Sequence, residues 1–154
     1  INILGCIIYL CMHCGSRWVS SHLEARNIDR WFMVIDELIE NCREWIEAAL
    51  EYSGGTHDFI HVVEGIKAGT MQLWPTPRGC IVSEIVLYPK VKQLNIFLGG
   101  GELDQIMDMH TDVINWAKAQ GCSALTMTGR AGWKKPLSDH GWDQLHSSYI
   151  KELT

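Results

Sequence analysis

The period of the apolar positions changes along this chain, and each change marks an element. From Ile28 to Ala49 apolar residues recur every three or four positions (Ile28, Trp31, Phe32, Ile35, Leu38, Ile39, Cys42, Trp45, Ile46, Ala49). That is the spacing of one helix face. It predicts one long helix, or two with a bend, over residues 28–52, with Asn27 as N-cap and Ser53-Gly54-Gly55 as the stop. The aromatic stripe reads as core packing, so Trp31, Phe32, Ile35, Ile39, Trp45 and Ile46 should be buried. Thr56 can cap a second helix with Phe59, Val62, Val63 and Ile66 on its apolar face, and Gly69 is well placed to end it.

The period then shortens. Thr70–Trp74, Cys80–Tyr88 and Val91–Leu98 read as three strands, separated by Pro75-Thr76-Pro77-Arg78-Gly79 and by Pro89. Their short connections favour an antiparallel meander. Leu103, Ile106, Met107, His110, Val113, Ile114 and Ala117 then mark one face of a helix that ends near Gly121. Cys122–Thr128 reads as a strand that, reached through a helix, lies parallel to the strand before it. Pro136 keeps the helix over 131–140 short or distorted, and Trp142–Leu153 reads as a last strand. The fold class expected is α/β (α+β): a mixed, mostly antiparallel sheet flanked by helices, in the order α-α-β-β-β-α-β-α-β. Residues 21–154 form a single domain. Residues 1–20 are an apolar extension or an edge strand.

At 154 residues and 47% hydrophobic the chain can bury a sound core. A net charge of −5 gives no electrostatic reason to bind nucleic acid. Ile1–Ser16 carries no formal charge, yet is too short and mixed for a membrane span of about 20 apolar residues, and lacks the marks of a secretory signal. It should be covered, as an added strand on this sheet or against another chain. Cys11 and Cys14 have the Cys-x-x-Cys spacing of half a zinc knuckle or of a redox pair, but no second Cys-x-x-Cys or His pair completes a tetrahedral site. Cys42, Cys80 and Cys122 sit singly in apolar runs and read as small hydrophobes. This cysteine usage fits a reducing, cytoplasmic setting. His57 and His61, at i and i+4, have no third ligand in pattern and read as surface or capping residues.

The chemistry concentrates after residue 70. A strand that ends in Gly99-Gly100-Gly101 and opens into a helix can aim backbone N–H groups at a phosphate. With the order of elements, Leu98-Gly99-Gly100-Gly101 and Gly129-Arg130-Ala131-Gly132-Trp133 make residues 28–153 resemble the GCN5-related N-acetyltransferase (GNAT) superfamily. The phrases Gln72-Leu73-Trp74 and Ile85-Val86-Leu87-Tyr88-Pro89 add a similarity to compact GNAT-like proteins encoded by bacteriophages. The resemblance implies acetyl-CoA as cofactor, without a metal, held at Leu98, Gly99, Gly100, Gly101, Glu102 and Arg130. It implies a V-shaped notch between the strand ending at Leu98 and the strand over 122–128, with Ile96 and Leu98 beside it. Glu84, inside an apolar strand, is a candidate base for deprotonating an amine; Asp139 and His140 are candidates for the acid that protonates the leaving thiolate.

The chain departs from the family where its chemistry is done. The Arg or Gln that precedes the family's glycines is absent. Leu137 stands at the position of the tyrosine that protonates the leaving thiolate, and Arg130 at that of an asparagine. Glu102 and Asp104 oppose a diphosphate. Two functions follow: an acetyl-CoA-dependent N-acyltransferase acting on an amine, or a non-catalytic GNAT-like phage virion or accessory protein. The second would act through phage or host protein partners at its N-terminal segment, in the host cytoplasm or virion.

Overall fold

A computed structural model describes residues 24–148 and 150–153, with side chains from residue 32 onward. The N-terminal segment, with Cys6, Cys11, Cys14 and the side chain of Trp31, lies outside the described residues.

The helical stripe forms two helices, α1 (Glu24–Asn41) and α2 (Arg43–Leu50), which break at Cys42. Helix α1 starts at Glu24, so Asn27 lies within it and is not its cap. Ile39, Cys42 and Ile46 are buried, and Ile35 and Trp45 pack partly buried against them. Phe32 departs from expectation and is 47% exposed, because the stripe drifts off the core toward the start of α1. Helix α3 (Phe59–Ala68) starts after Asp58 rather than Thr56. His61 closes its N-terminus: its Nδ1 accepts the Asp58 backbone N–H at 2.9 Å. The capping role read for His61 therefore holds. Gly69 ends the helix with φ +78°, a conformation that disfavours a β-carbon.

Strands β1 (Met71–Thr76), β2 (Gly79–Leu87), β3 (Lys92–Gly101) and β4 (Ala124–Met127) form one sheet in that spatial order. Pairs β1–β2 and β2–β3 are antiparallel, and β3–β4 is parallel. A two-residue turn, Pro77-Arg78, joins β1 to β2. Pro75 is tolerated because β1 is an edge strand. Helix α4 (Leu103–Ala119) connects β3 to β4, and a 3-10 turn (Ala131–Trp133) leads into the short helix α5 (Lys134–Asp139).

The sheet separates two cores. On one face Leu73, Cys80, Val82 and Leu98 pack with Ile46, Val62 and Ile66 of α2 and α3. On the other, Trp74, Ile81 and Leu94 pack with Ile106, Val113, Trp116 and Ala117 of α4. Trp116, not the 45% exposed Leu103, completes the buried face of α4. A buried hydrogen bond joins β1 to β2: Trp74 Nε1 donates to Ser83 Oγ at 2.9 Å, and Ser83 Oγ donates to Gln72 Oε1 at 3.0 Å. Cys42 and Cys80 are buried and Cys122 half-buried.

The final strand expected over Trp142–Leu153 is a correction. Residues 142–148 and 150–153 join no sheet. Leu145, Ile150 and Leu153 are 81%, 85% and 93% exposed, so no apolar surface lies beneath them to fix an alternating pattern.

Candidate functional site

Strand β3 is ten residues long, but only Gln93–Ile96 pair with β4. The parallel ladder stops at Ile96↔Met127, where β4 ends, level with an irregularity on the other side of β3. Val82 faces Leu98 while the next residue of β2, Ser83, faces Ile96. Phe97 is therefore an extra residue, a β-bulge, which bends a strand and raises its twist. It also disturbs the alternation, since Phe97 and Leu98 both pack with the α2–α3 core. Past the bulge β3 carries on to Gly101 without β4 beside it.

The separation opens a cleft of about 850 Å³. Ile96, Leu98 and Gly99–Gly101 line it, as do Met127–Arg130 beyond the end of β4. Its walls come from both faces of the sheet: Ala48, Ala49 and Tyr52 on the α2 side, and Ile106, Met107 and His110 of α4 on the other. The cleft thus runs through the level of the sheet.

The three glycines belong to β3, with Glu102 as the N-cap of α4, and they are not equivalent. A β-carbon on Gly99 would meet only Ile106 Cδ1, at 3.9 Å, whereas one on Gly100 would lie 2.3 Å from the Trp45 carbonyl oxygen. Gly100 is there to let α2 approach the sheet. Gly99 faces open space in the cleft.

The carboxylates at the start of α4 have a partner that the sequence concealed. Arg78 Nε donates to Glu102 Oε2 at 2.5 Å, and Arg78 Nη2 to Asp104 Oδ2 at 3.3 Å. The register of β2 on β3 sets Gly79 against Gly101, which carries the hairpin turn to the helix start. A positive group absent from the strand itself is thus supplied across the sheet, offsetting the two carboxylates.

On the α2 side a polar row crosses three strands. Asn95 Nδ2 donates to Glu84 Oε1 at 2.9 Å, and Thr126 Oγ1 lies 3.5 Å from Asn95 Oδ1. Glu84 and Asn95 line the cleft, and Glu84 is its one carboxylate among the described residues. At the rim, Arg130 Cζ stands 4.6 Å over the Tyr52 ring centroid, joining the segment after α2 to the segment after β4.

On the α4 side Trp142 Nε1 donates to His110 Nε2 at 2.9 Å, so His110 accepts through that nitrogen and is neutral. Burial, then the neighbouring His140, hold its pKa below the ordinary imidazole value. His140 is exposed, with Nδ1 2.8 Å from the Pro136 carbonyl oxygen. Asp139 is exposed at the end of α5.

Of the residues proposed from sequence, Glu84, Leu98, Gly99, Gly100, Gly101 and Arg130 meet in one cleft; Glu102, Asp139 and His140 do not line it. Leu137 does. Among the described residues no group of three or more His, Cys, Asp or Glu could hold a metal ion, and no helix is long and apolar enough to cross a membrane.

A second groove lies between α1, α2 and α3. Both of its cations are engaged with carboxylates: Arg43 with Glu40 at 2.7 Å and Glu47 at 3.1 Å, and Lys67 with Asp36 at 2.6 Å.

No family model and no curated protein matches the sequence. Solved structures do match. One described as a probable acetyltransferase is 10% identical, with a TM-score of 0.51, over 90% of this chain and 99% of that one. The fold is GNAT-like. A transcriptional regulator from Bacillus halodurans C-125 is 13% identical with a TM-score of 0.52, over 62% of this chain and 75% of its own. A tetramutant of the BH1408 protein of Bacillus halodurans is 12% identical with a TM-score of 0.51, over 64% and 76%.

Proposed function

We propose that this protein is an acetyl-CoA-dependent N-acyltransferase acting on an amine. One observation carries the reading: after the bulge at Phe97, β3 leaves β4 and runs on alone beside a cleft that leads to the start of α4. Backbone groups of Leu98–Gly101 facing that cleft would hold an extended amide-bearing chain. The Gly99 cradle and the α4 N-terminus, with Arg78 offsetting Glu102 and Asp104, would take the cofactor's phosphates. When bound, acetyl-CoA supplies an activated thioester.

The remaining work falls to the chain. Glu84 would accept the proton of the acceptor's ammonium and free its lone pair for attack. Asn95, bonded to one Glu84 oxygen, orients the carboxylate and leaves the other oxygen for the amine. Leu137 has no proton to give. That is the observation behind the second reading, a non-catalytic scaffold acting through protein contacts, such as a phage virion or accessory protein.

Calorimetric titration with acetyl-CoA separates the two. Saturable binding supports the enzyme; no heat and no thermal shift at millimolar acetyl-CoA overturns it. Glu84→Gln should then lower kcat by about a hundredfold, the low end for general-base loss, with acetyl-CoA affinity unchanged.

A further inference from the structure

Three arginines have described side chains, and two of them are paired: Arg43 with Glu40 and Glu47, Arg78 with Glu102 and Asp104. Among the described residues Arg130 has no carboxylate partner and no side-chain hydrogen bond. It stands at the rim of the cleft with its guanidinium over the exposed ring of Tyr52. The ring of Tyr52 attracts the guanidinium through its face, which takes none of its N–H groups as a hydrogen-bond donor. The N–H groups on its edge stay available, in the fork that matches a carboxylate.

The cleft therefore carries two opposite charges. Glu84 lies inside, on the sheet, and Arg130 lies at the rim, four residues beyond Thr126, the β4 end of the Glu84–Asn95–Thr126 row. Both face the side walled by α2 and Tyr52. Lys134 and Lys135 do not line the cleft. With one permanent cation at hand, a monoanion is matched and a phosphate dianion is under-compensated.

We infer that Arg130, held by Tyr52, binds a carboxylate of the acceptor, so the amine substrate is an amino acid rather than a simple amine. The inference rests on the acyltransferase reading and narrows its substrate class. The acceptor's ammonium meets Glu84 while its carboxylate meets the Arg130 fork. The ring of Tyr52 contributes through its face, not its hydroxyl.

The test is acyl transfer from acetyl-CoA to the twenty standard amino acids, each compared with its decarboxylated amine, for example L-lysine with cadaverine. Acetyl-CoA affinity is measured in parallel by calorimetry. At least one amino acid should exceed its decarboxylated partner in kcat/KM by about tenfold, as one charged hydrogen-bonded pair provides. Arg130→Gln should erase that preference by raising KM, with kcat and acetyl-CoA affinity held. Tyr52→Phe should keep the preference and Tyr52→Ala should weaken it. Equal rates within every pair, transfer to no amino acid, or a preference that survives Arg130→Gln overturns the inference. So does a loss of acetyl-CoA affinity in Arg130→Gln, which would put Arg130 on the cofactor. A parent protein that fails to bind acetyl-CoA overturns the acyltransferase reading itself, an outcome distinct from all of these.

Discussion

The backbone of Trp45 fills the place where Gly100 would carry a side chain: a β-carbon there would lie 2.3 Å from the Trp45 carbonyl oxygen. Helix α2 rests on the sheet through this contact, so Gly100 belongs to the fold before it belongs to any ligand. Gly100→Val should cost about 3 kcal/mol or more, as overpacking against rigid backbone does, lowering the melting temperature by roughly 6–12 °C. Gly99→Ala, with 3.9 Å to its nearest neighbour, should stay within about 1 kcal/mol of the parent. Thermal melts of the two variants check this. Equal destabilisation would contradict the asymmetry, and Gly99 is the glycine at which to probe ligand binding.

Ser83 is fully buried and is the acceptor for Trp74 Nε1. Ser83→Ala removes that acceptor and leaves an indole N–H without its partner in the core. The expected loss is about 1–3 kcal/mol, read as a shift of the urea midpoint at constant m-value. A neutral result would mean that the indole finds another acceptor.

His110 gives stability a pH dependence. Its pKa is lowered in the folded protein, chiefly by burial, so the unfolded chain binds more protons than the native one across the imidazole range. Stability therefore rises with pH there. The contribution is fully present above the unfolded value of about 6.5 and is lost as pH falls through the folded value. Protonation also takes from Trp142 Nε1 its acceptor at Nε2. Chemical denaturation at pH 5 and pH 8 should show the parent weaker at the lower pH, and His110→Gln should reduce the difference. An unchanged difference would shift the effect to other histidines.

Arg78 makes two exposed ion pairs, and such pairs contribute little to stability. Arg78→Ala should move the melting point by no more than about 1 kcal/mol allows, roughly 2–4 °C. Under the acyltransferase reading it uncovers Glu102 and Asp104 at the start of α4. Acetyl-CoA affinity should then fall several-fold, and high salt should narrow the gap by screening. Calorimetry on parent and variant at two ionic strengths measures both effects.

The elements with a clear period were legible in the sequence. The stripe of Ile35, Ile39, Cys42 and Ile46 gave α1 and α2, and the β3–α4–β4 order gave the parallel pair. The glycine run named the right strand end, but spacing could not say that Gly100 serves α2, because that contact joins residues 55 positions apart. Arg78 lay within a recognised turn; its meaning depends on the β2–β3 register, which no local pattern encodes. Tyr52, Asn95 and Trp142 were invisible for the same reason, since each acts through a partner on another element. Trp142–Leu153 shows the opposite failure. Its composition suits a strand, but a strand needs another strand to pair with, and none of its described residues joins the sheet.

Cavities are usually carved by the sizes of side chains, but this one follows from counting. Strand β3 uses one residue more than β2 at Phe97, and beyond that point β4 no longer runs beside it. Deleting Phe97 would restore equal numbers and put Leu98 directly after Ile96, opposite Val82 as before, with plain alternation along the strand. What the deletion would remove is the bend and extra twist that a bulge imposes. The opening in the sheet begins at a surplus of one residue, and one codon encodes that surplus.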